Sequence, residues 1–333
     1  MPNPASFYPS DYVRYLRSLV VPGYAGYDGG VVAITQYSSA NQMFGGAQAS
    51  RFLAAQLWKV ATAAEKTFLD SEPAGRVWSG QGMGPDFVTI LTIVMAHRAE
   101  LATVPELKRH MDQTDYLQAL CDAAFLGMDC IGFVGTYTAT CGIDAGYKGR
   151  TPLAFAPEWS FVQTLKQVTD LSIIMLTNGL HIQIIDRIIT EIDRKPEAPP
   201  PQSVTVDICQ SSHHKTEEKS RGPQCNRGVV ITAGGGDYTP VETFRAQRTS
   251  KSEWDKYVAT LPPAEQAKAD RASPNDGGYQ GYLRKHLTEH SRAKGYMGGA
   301  IFKIAGNGTP PNPVAQSIYI GVMPGLVCNR PRA

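Results

Sequence analysis

Apolar residues recur at helical spacing between Gly46 and Asp70, where Phe52, Leu53, Leu57, Val60, Ala61, Ala64 and Phe68 share one face. The pattern predicts an amphipathic helix. Ser71–Pro85 is rich in Gly and Pro and reads as a loop; a second apolar helix is expected from Asp86 to Leu101. Thr103-Val-Pro-Glu-Leu opens another, with Pro105 in a first turn, where a missing N–H costs nothing. Short helices follow at Asp115–Phe125 and Cys130–Thr140, the latter ended by Gly142, Gly146 and Gly149. Ahead of all these, residues 1–46 predict an irregular arm with one strand-like run at Gly30–Tyr37.

Beyond a short helix or irregular segment at Trp159–Val168, the apolar period shortens to that of strands. Asp170-Leu-Ser-Ile-Ile-Met-Leu is a β-rich run, Thr177-Asn178-Gly179 is a hairpin-type turn signal, and Leu180–Asp186 is a second strand continuing to Ile192. His181, Gln183 and Ile185 share one face of it, Ile182 and Ile184 the other. Ser203–Ser212 returns as a strand with Val204, Val206, Ile208 and Gln210 on one side, and Gly228-Val-Val-Ile-Thr resumes strand character. Residues 237–298 are hydrophilic, with candidate helices at Glu253–Thr260, Pro263–Ala272 and Gly281–Ala293, and read as an insertion. Ala300–Ala305 and Ser317–Met323 are the closing strands.

The 333 residues, 42% hydrophobic and 19% charged, suffice for a substantial core, and no internal repeat is present. A formal net charge of +2 gives no reason to invoke nucleic acid or an acidic membrane surface. The apolar run Phe87–Ala96 is too short to span a bilayer. Met1–Ser10 lacks the basic head and apolar core of a secretory signal, so the expectation is cytoplasmic synthesis and, for any outside role, export by another route. Six cysteines, Cys121, Cys130, Cys141, Cys209, Cys225 and Cys328, form no CxxC pair and are expected to be mostly free thiols.

No metal or cofactor is expected. Adjacent His213 and His214, even with Cys209 or Cys225, fit no zinc spacing, and His286 and His290 lack the intervening glutamate of a helical zinc protease. Gly234–Gly236 and Gly80-Gln-Gly-Met-Gly lack the lysine and the strand–helix setting of a phosphate loop.

The chemistry concentrates at Gly127-Met-Asp-Cys-Ile-Gly-Phe-Val, which places Cys130 in the first turn of a helix. Unpaired N–H groups and the positive dipole end there are expected to lower a thiol's pKa and to hold an oxyanion. Asp129-Cys130-Ile131-Gly132-Phe133-Val134 resembles the nucleophile motif of the NlpC-type family, bacterial papain-like cysteine hydrolases that mostly cut cell-wall peptide stems; the family usually has Ser where this chain has Ile131. Asp170-Leu followed by an apolar strand, a short turn and His181 with alternating Ile resembles the family's second block, Asp-Leu-Val-Phe-Phe leading to His-Val-Gly-Ile-Tyr. The spacing, 181 − 130 = 51 residues, is ordinary for that fold. A Tyr-x-Trp-Gly-Gly segment usual ahead of the cysteine has no match in Ala119–Met128, which leaves the substrate open.

The resemblance implies an α+β fold with a papain-like core, its antiparallel sheet packed on the nucleophile helix, over residues 115–333 with the 237–298 insertion, behind a mainly helical extension over 1–114. It implies Cys130 as nucleophile, His181 as its base, and a polar residue on the next strand that orients the imidazole. Gln210 is matched to that third position, with Ser211 and His213 close enough to compete; Asp129 would shape the turn or contact substrate. The implied activity is amide hydrolysis in peptidoglycan peptide stems. With no signal of the usual kind, delivery as a type VI antibacterial effector to a target periplasm follows, with an immunity protein and a secretion-machine component as partners. A cysteine-dependent deamidase or acyl-transfer toxin, and a non-catalytic binding protein, are the alternatives.

Overall fold

The computed structural model describes residues 4–5, 8–26, 29–37, 46–143, 160–176, 181–212, 222–234, 302–304, 316–323 and 325–328, with isolated positions 259, 263 and 266. The turn at 177–179, His213, His214, Gly235, Gly236, nearly all of the 237–298 insertion, and His286 and His290 lie outside the described residues.

In chain order the first half comprises β1 (Pro4–Ala5), α1 (Pro9–Leu16), β2 (Leu19–Val20), β3 (Val31–Val32), α2 (Gly46–Val60), α3 (Ala63–Leu69) and α4 (Glu72–Trp78). There follow α5 (Gly84–Ala96), α6 (Arg98–Leu101), α7 (Pro105–Met111), α8 (Tyr116–Asp122) and α9 (Cys130–Thr140). The second half is β: β4 (Ser160–Phe161), β5 (Ile173–Leu176), β6 (Ile182–Ile188), β7 (Ser203–Ser212), β8 (Gly222–Ala233), β9 (Phe302–Ile304), β10 (Gln316–Val322) and β11 (Val327–Cys328).

Two departures among the helices have local causes. The helix expected over Gly46–Asp70 is split at Thr62, whose side chain caps Glu65 N while Glu65 Oε2 accepts from the Thr62 amide at 2.7 Å. That reciprocal capping box starts a new helix inside the periodic run. Ser71–Pro85 contains α4, with Pro73 tolerated in its first turn.

The larger correction concerns the sheet. A papain-like core, with its sheet packed on the nucleophile helix, is not what forms: β9 pairs antiparallel with both β8 and β10. The six strands β10-β5-β6-β7-β8-β9 therefore close into an antiparallel barrel, with β4 added beside β10. Closure removes both sheet edges and creates an interior that an open sheet lacks. Each barrel strand supplies that interior: Ile174, Ile185, Val204, Val206, Ile208, Ile231, Phe302, Ile304, Ile318 and Ile320 form one buried cluster. The opposite faces of the same strands, including Ile173, Met175, Ile182, Ile184, Cys209 and Tyr319, pack in a second cluster with the helices.

Central to that second cluster is α9, buried from Cys130 through Thr138. A helix apolar all round must be covered all round. The barrel strands β6 and β7 lie on one side, and Tyr12 of α1 covers Phe133 and Tyr137 with ring centroids 5.8 and 5.9 Å away. Its hydroxyls are satisfied internally, Thr136 Oγ1 donating to Gly132 O at 2.5 Å and Thr138 Oγ1 to Gly135 O at 2.9 Å. Residues before 115 contribute to the same core, and α1 is tied to the barrel by Ser10 N donating to Asp186 Oδ1 at 2.7 Å and Arg17 Nε to Pro223 O at 3.0 Å.

Candidate functional site

The start of α9 is held from several sides. Met128 N donates to Gln36 O at 3.0 Å, Ser211 Oγ donates to Met128 O at 2.5 Å, and Asp129 N donates to Gly80 O at 2.8 Å. Asp129 is the N-cap, only 4% exposed, with Oδ1 accepting from Gly132 N at 2.5 Å and Oδ2 from Gln81 Nε2 at 3.4 Å. Gly132 is required by contact: a Cβ there would stand 2.1 Å from Gly80 O and 2.8 Å from Gln81 Cα. The Cys-x-Gly spacing thus lets the first turn press onto the Gly80–Gln81 backbone.

Cys130 follows the cap directly, 3% exposed, with its sulfur on the Ile182 backbone N–H and 3.9 Å from the Tyr37 hydroxyl. Ile182 is the neighbour of His181. His181 Nε2 lies 2.5 Å from Gln210 Oε1, while the His181 carbonyl accepts from Leu176 N at 3.0 Å. A carboxamide oxygen only accepts, so Nε2 carries a ring hydrogen. Imidazole and carboxamide are thus paired from the residue ahead of β6 and from β7, and the Cys130 sulfur of α9 meets the amide of Ile182, the next residue along.

Of the competitors for the third position, Ser211 is committed to Met128 O and His213 lies outside the described residues. Gln210 shares the inward face of Val204, Val206 and Ile208. Asp129 has its carboxylate occupied by Gly132 and Gln81, the geometry of a helix cap.

The electrostatics reverse one expectation. Burial, reinforced by the Asp129 charge, pushes the Cys130 thiol up to about 12; the Ile182 amide, the Tyr37 hydroxyl and the Ile131 amide pull it down only in part. Desolvation of a fully enclosed sulfur outweighs a helix terminus that stabilises an anion by roughly 0.3–1 kcal/mol. Cys130 is therefore a neutral thiol at rest. Burial likewise raises the Asp129 carboxyl to about 7, against the amides of Gly132, Gln81 and Ile131.

No family model matches the chain. None of the curated proteins or solved structures is detectably similar to it. Among the described residues no helix is long and apolar enough to cross a membrane, and no group of three His, Cys, Asp or Glu side chains is placed to hold a metal ion.

Sequence reasoning missed several neighbours. Gln224 of β8 stands directly opposite Gln210, 2% exposed, and Gln183 of β6 is 6% exposed on the barrel-interior face, opposite Ile174. Gln183 Oε1, Gln210 Nε2 and both amide atoms of Gln224 have no hydrogen-bond partner among the described residues. The alternation that put Gln183 on the His181 face was the only signal for this polar end. Tyr37 and Gln81 had none, since each reaches the site through long-range folding.

Proposed function

We propose that the chain is a cysteine hydrolase that cleaves amide bonds, with Cys130 as nucleophile, His181 as general base and acid, and Gln210 as the group that fixes the imidazole. The observation that carries this reading is the 2.5 Å contact between His181 Nε2 and Gln210 Oε1, with His181 next in sequence to Ile182, whose amide interacts with the Cys130 sulfur. It is the order of roles required of an activated thiol: nucleophile, base, orienter.

Because the resting thiol is neutral, proton transfer accompanies attack. His181 Nδ1 takes the Cys130 proton as sulfur bonds to the amide carbon, and the carbonyl oxygen becomes an oxyanion. The Cys130 backbone N–H, at a first helical position with no acceptor inside the helix, faces that charge. His181 then gives its proton to the leaving amine, and a water activated by the same nitrogen hydrolyses the thioester. Gln210 keeps the hydrogen on Nε2 throughout.

The local resemblance of the two sequence blocks to NlpC-type hydrolases supports peptidoglycan peptide stems as substrate and an antibacterial effector role, exported by a type VI machine to a target periplasm and neutralised at home by an immunity protein. The closed barrel departs from the core that resemblance implied, so the reading rests on the site and not on the fold. The test is release of new amino termini from purified peptidoglycan. Wild-type protein is expected to release them and Cys130→Ala to release none; activity confined to a soluble protein substrate would replace the cell-wall reading with a deamidase or acyl-transfer toxin, and activity retained by Cys130→Ala would overturn the mechanism.

A further inference from the structure

Away from the proposed catalytic sulfur, Cys209 of β7 and Cys225 of β8 are register partners directly across the ladder, and their sulfurs lie 2.7 Å apart. A disulfide bond is about 2.05 Å long, so closure needs a movement of only about 0.7 Å. Ordinary unbonded thiols do not sit this close. No third ligand accompanies the pair, since the described residues hold no group of three metal-binding side chains.

We infer that Cys209 and Cys225 form a reversible cross-strand disulfide, a modification site that stays reduced in a reducing compartment and closes when the protein meets an oxidising one. The two cysteines differ in the way such an exchange needs. Cys209 is fully buried on the barrel's outer face beneath the helices, whereas Cys225 is partly exposed. Burial raises the Cys209 thiol well above its usual range, with Cys225, Asp186 and Asp207 adding to it. Exchange therefore begins at Cys225.

The chemistry balances with a low-molecular-weight disulfide as oxidant. Cys225 loses its proton and attacks one sulfur of the oxidant, whose other half leaves as a thiolate and takes up that proton. Cys209 then attacks the Cys225 sulfur of the mixed disulfide, expelling the second small thiol with the Cys209 proton. Two protein thiols and one external disulfide become one protein disulfide and two external thiols. The bond joins residues 16 apart in sequence and pins β7 to β8 one residue from Gln210 and Gln224.

The experiment incubates the full chain with oxidised glutathione, followed by intact mass and non-reducing peptide mapping. The expected product has lost two hydrogens, with the Cys209 and Cys225 peptides joined, and melts at a higher temperature than the reduced protein; dithiothreitol reverses both changes. Cys209→Ala is expected to stop at a single glutathionyl adduct on Cys225, and Cys225→Ser to form neither adduct nor crosslink at Cys209. Buried Cys121, whose thiol is also raised by burial, is the internal control and stays unmodified. Cys209 and Cys225 peptides recovered as free thiols, or crosslinked to other cysteines, would overturn the inference. None of these readouts uses hydrolytic activity, so the inference stands or falls apart from the proposed function.

Discussion

Asp129→Asn isolates the energetic consequence of placing a carboxylate at the start of α9. The asparagine Oδ1 keeps the cap on Gly132 N, and Asn and Asp are about equally good N-caps. What is removed is a titration, along with the acceptor that Oδ2 offers Gln81 Nε2. The folded-state carboxyl, raised by burial to about 7, must be compared with 3.8 for the free group. Because the folded value is the higher, stability from this group is fully present below pH 3.8, falls as the unfolded chain ionises first, and is lost by the time pH passes 7. The interval is about three pH units at ~1.4 kcal/mol each, or about 4 kcal/mol. At 4% exposure, solvent screening takes little from that figure. Urea denaturation at pH 4, 5.5 and 7.5 is expected to show the variant and wild type equally stable at the acid end and the variant ahead by about 4 kcal/mol at the alkaline end. A difference that stays constant across the series, or a variant that is less stable at pH 7.5, would refute the reasoning.

The remaining predictions follow from the same cluster. Gly132→Ala drives a Cβ into Gly80 O and is expected to cost at least about 2 kcal/mol in denaturation, as backbone overpacking does; an unchanged midpoint would mean the close approach is not there. Gln210→Ala is expected to lower kcat on the order of 10²-fold with little change in KM, and Gln210→Glu, whose carboxylate still accepts from Nε2, to recover part of it. Asp129→Asn is also expected to speed alkylation of Cys130 at pH 8, because it removes the negative charge that helps to raise the thiol.

Much of the framework is local and could be read locally. The helix start at Cys130, the strand Ser203–Ser212 and the face that carries Gln210 all appear where the apolar pattern put them. Even the break at Thr62 has a visible sign in Thr62-x-x-Glu65, although the apolar period running through it hides the sign. The second strand ends at Ile188 and not Ile192, where Ile189 is 52% exposed and no longer has a core to face. Barrel closure was not legible because it depends on β9 meeting both β8 and β10 across a long stretch of chain. The same holds for the thiol: a motif shows a helix terminus, but the burial that raises Cys130, against the Ile182 amide and the Tyr37 hydroxyl, is tertiary. Cys209 and Cys225 likewise become a pair only through strand register.

The central claim is that the Cys130 sulfur and the His181 ring act on each other, and alkylation of Cys130 by iodoacetamide across pH 5–11 tests it without any assumed substrate. With His181 taking the proton, the wild-type rate is expected to depend only weakly on pH, while in His181→Ala it starts lower and climbs about tenfold per pH unit toward the raised thiol range. Superimposable profiles for the two proteins would contradict the account.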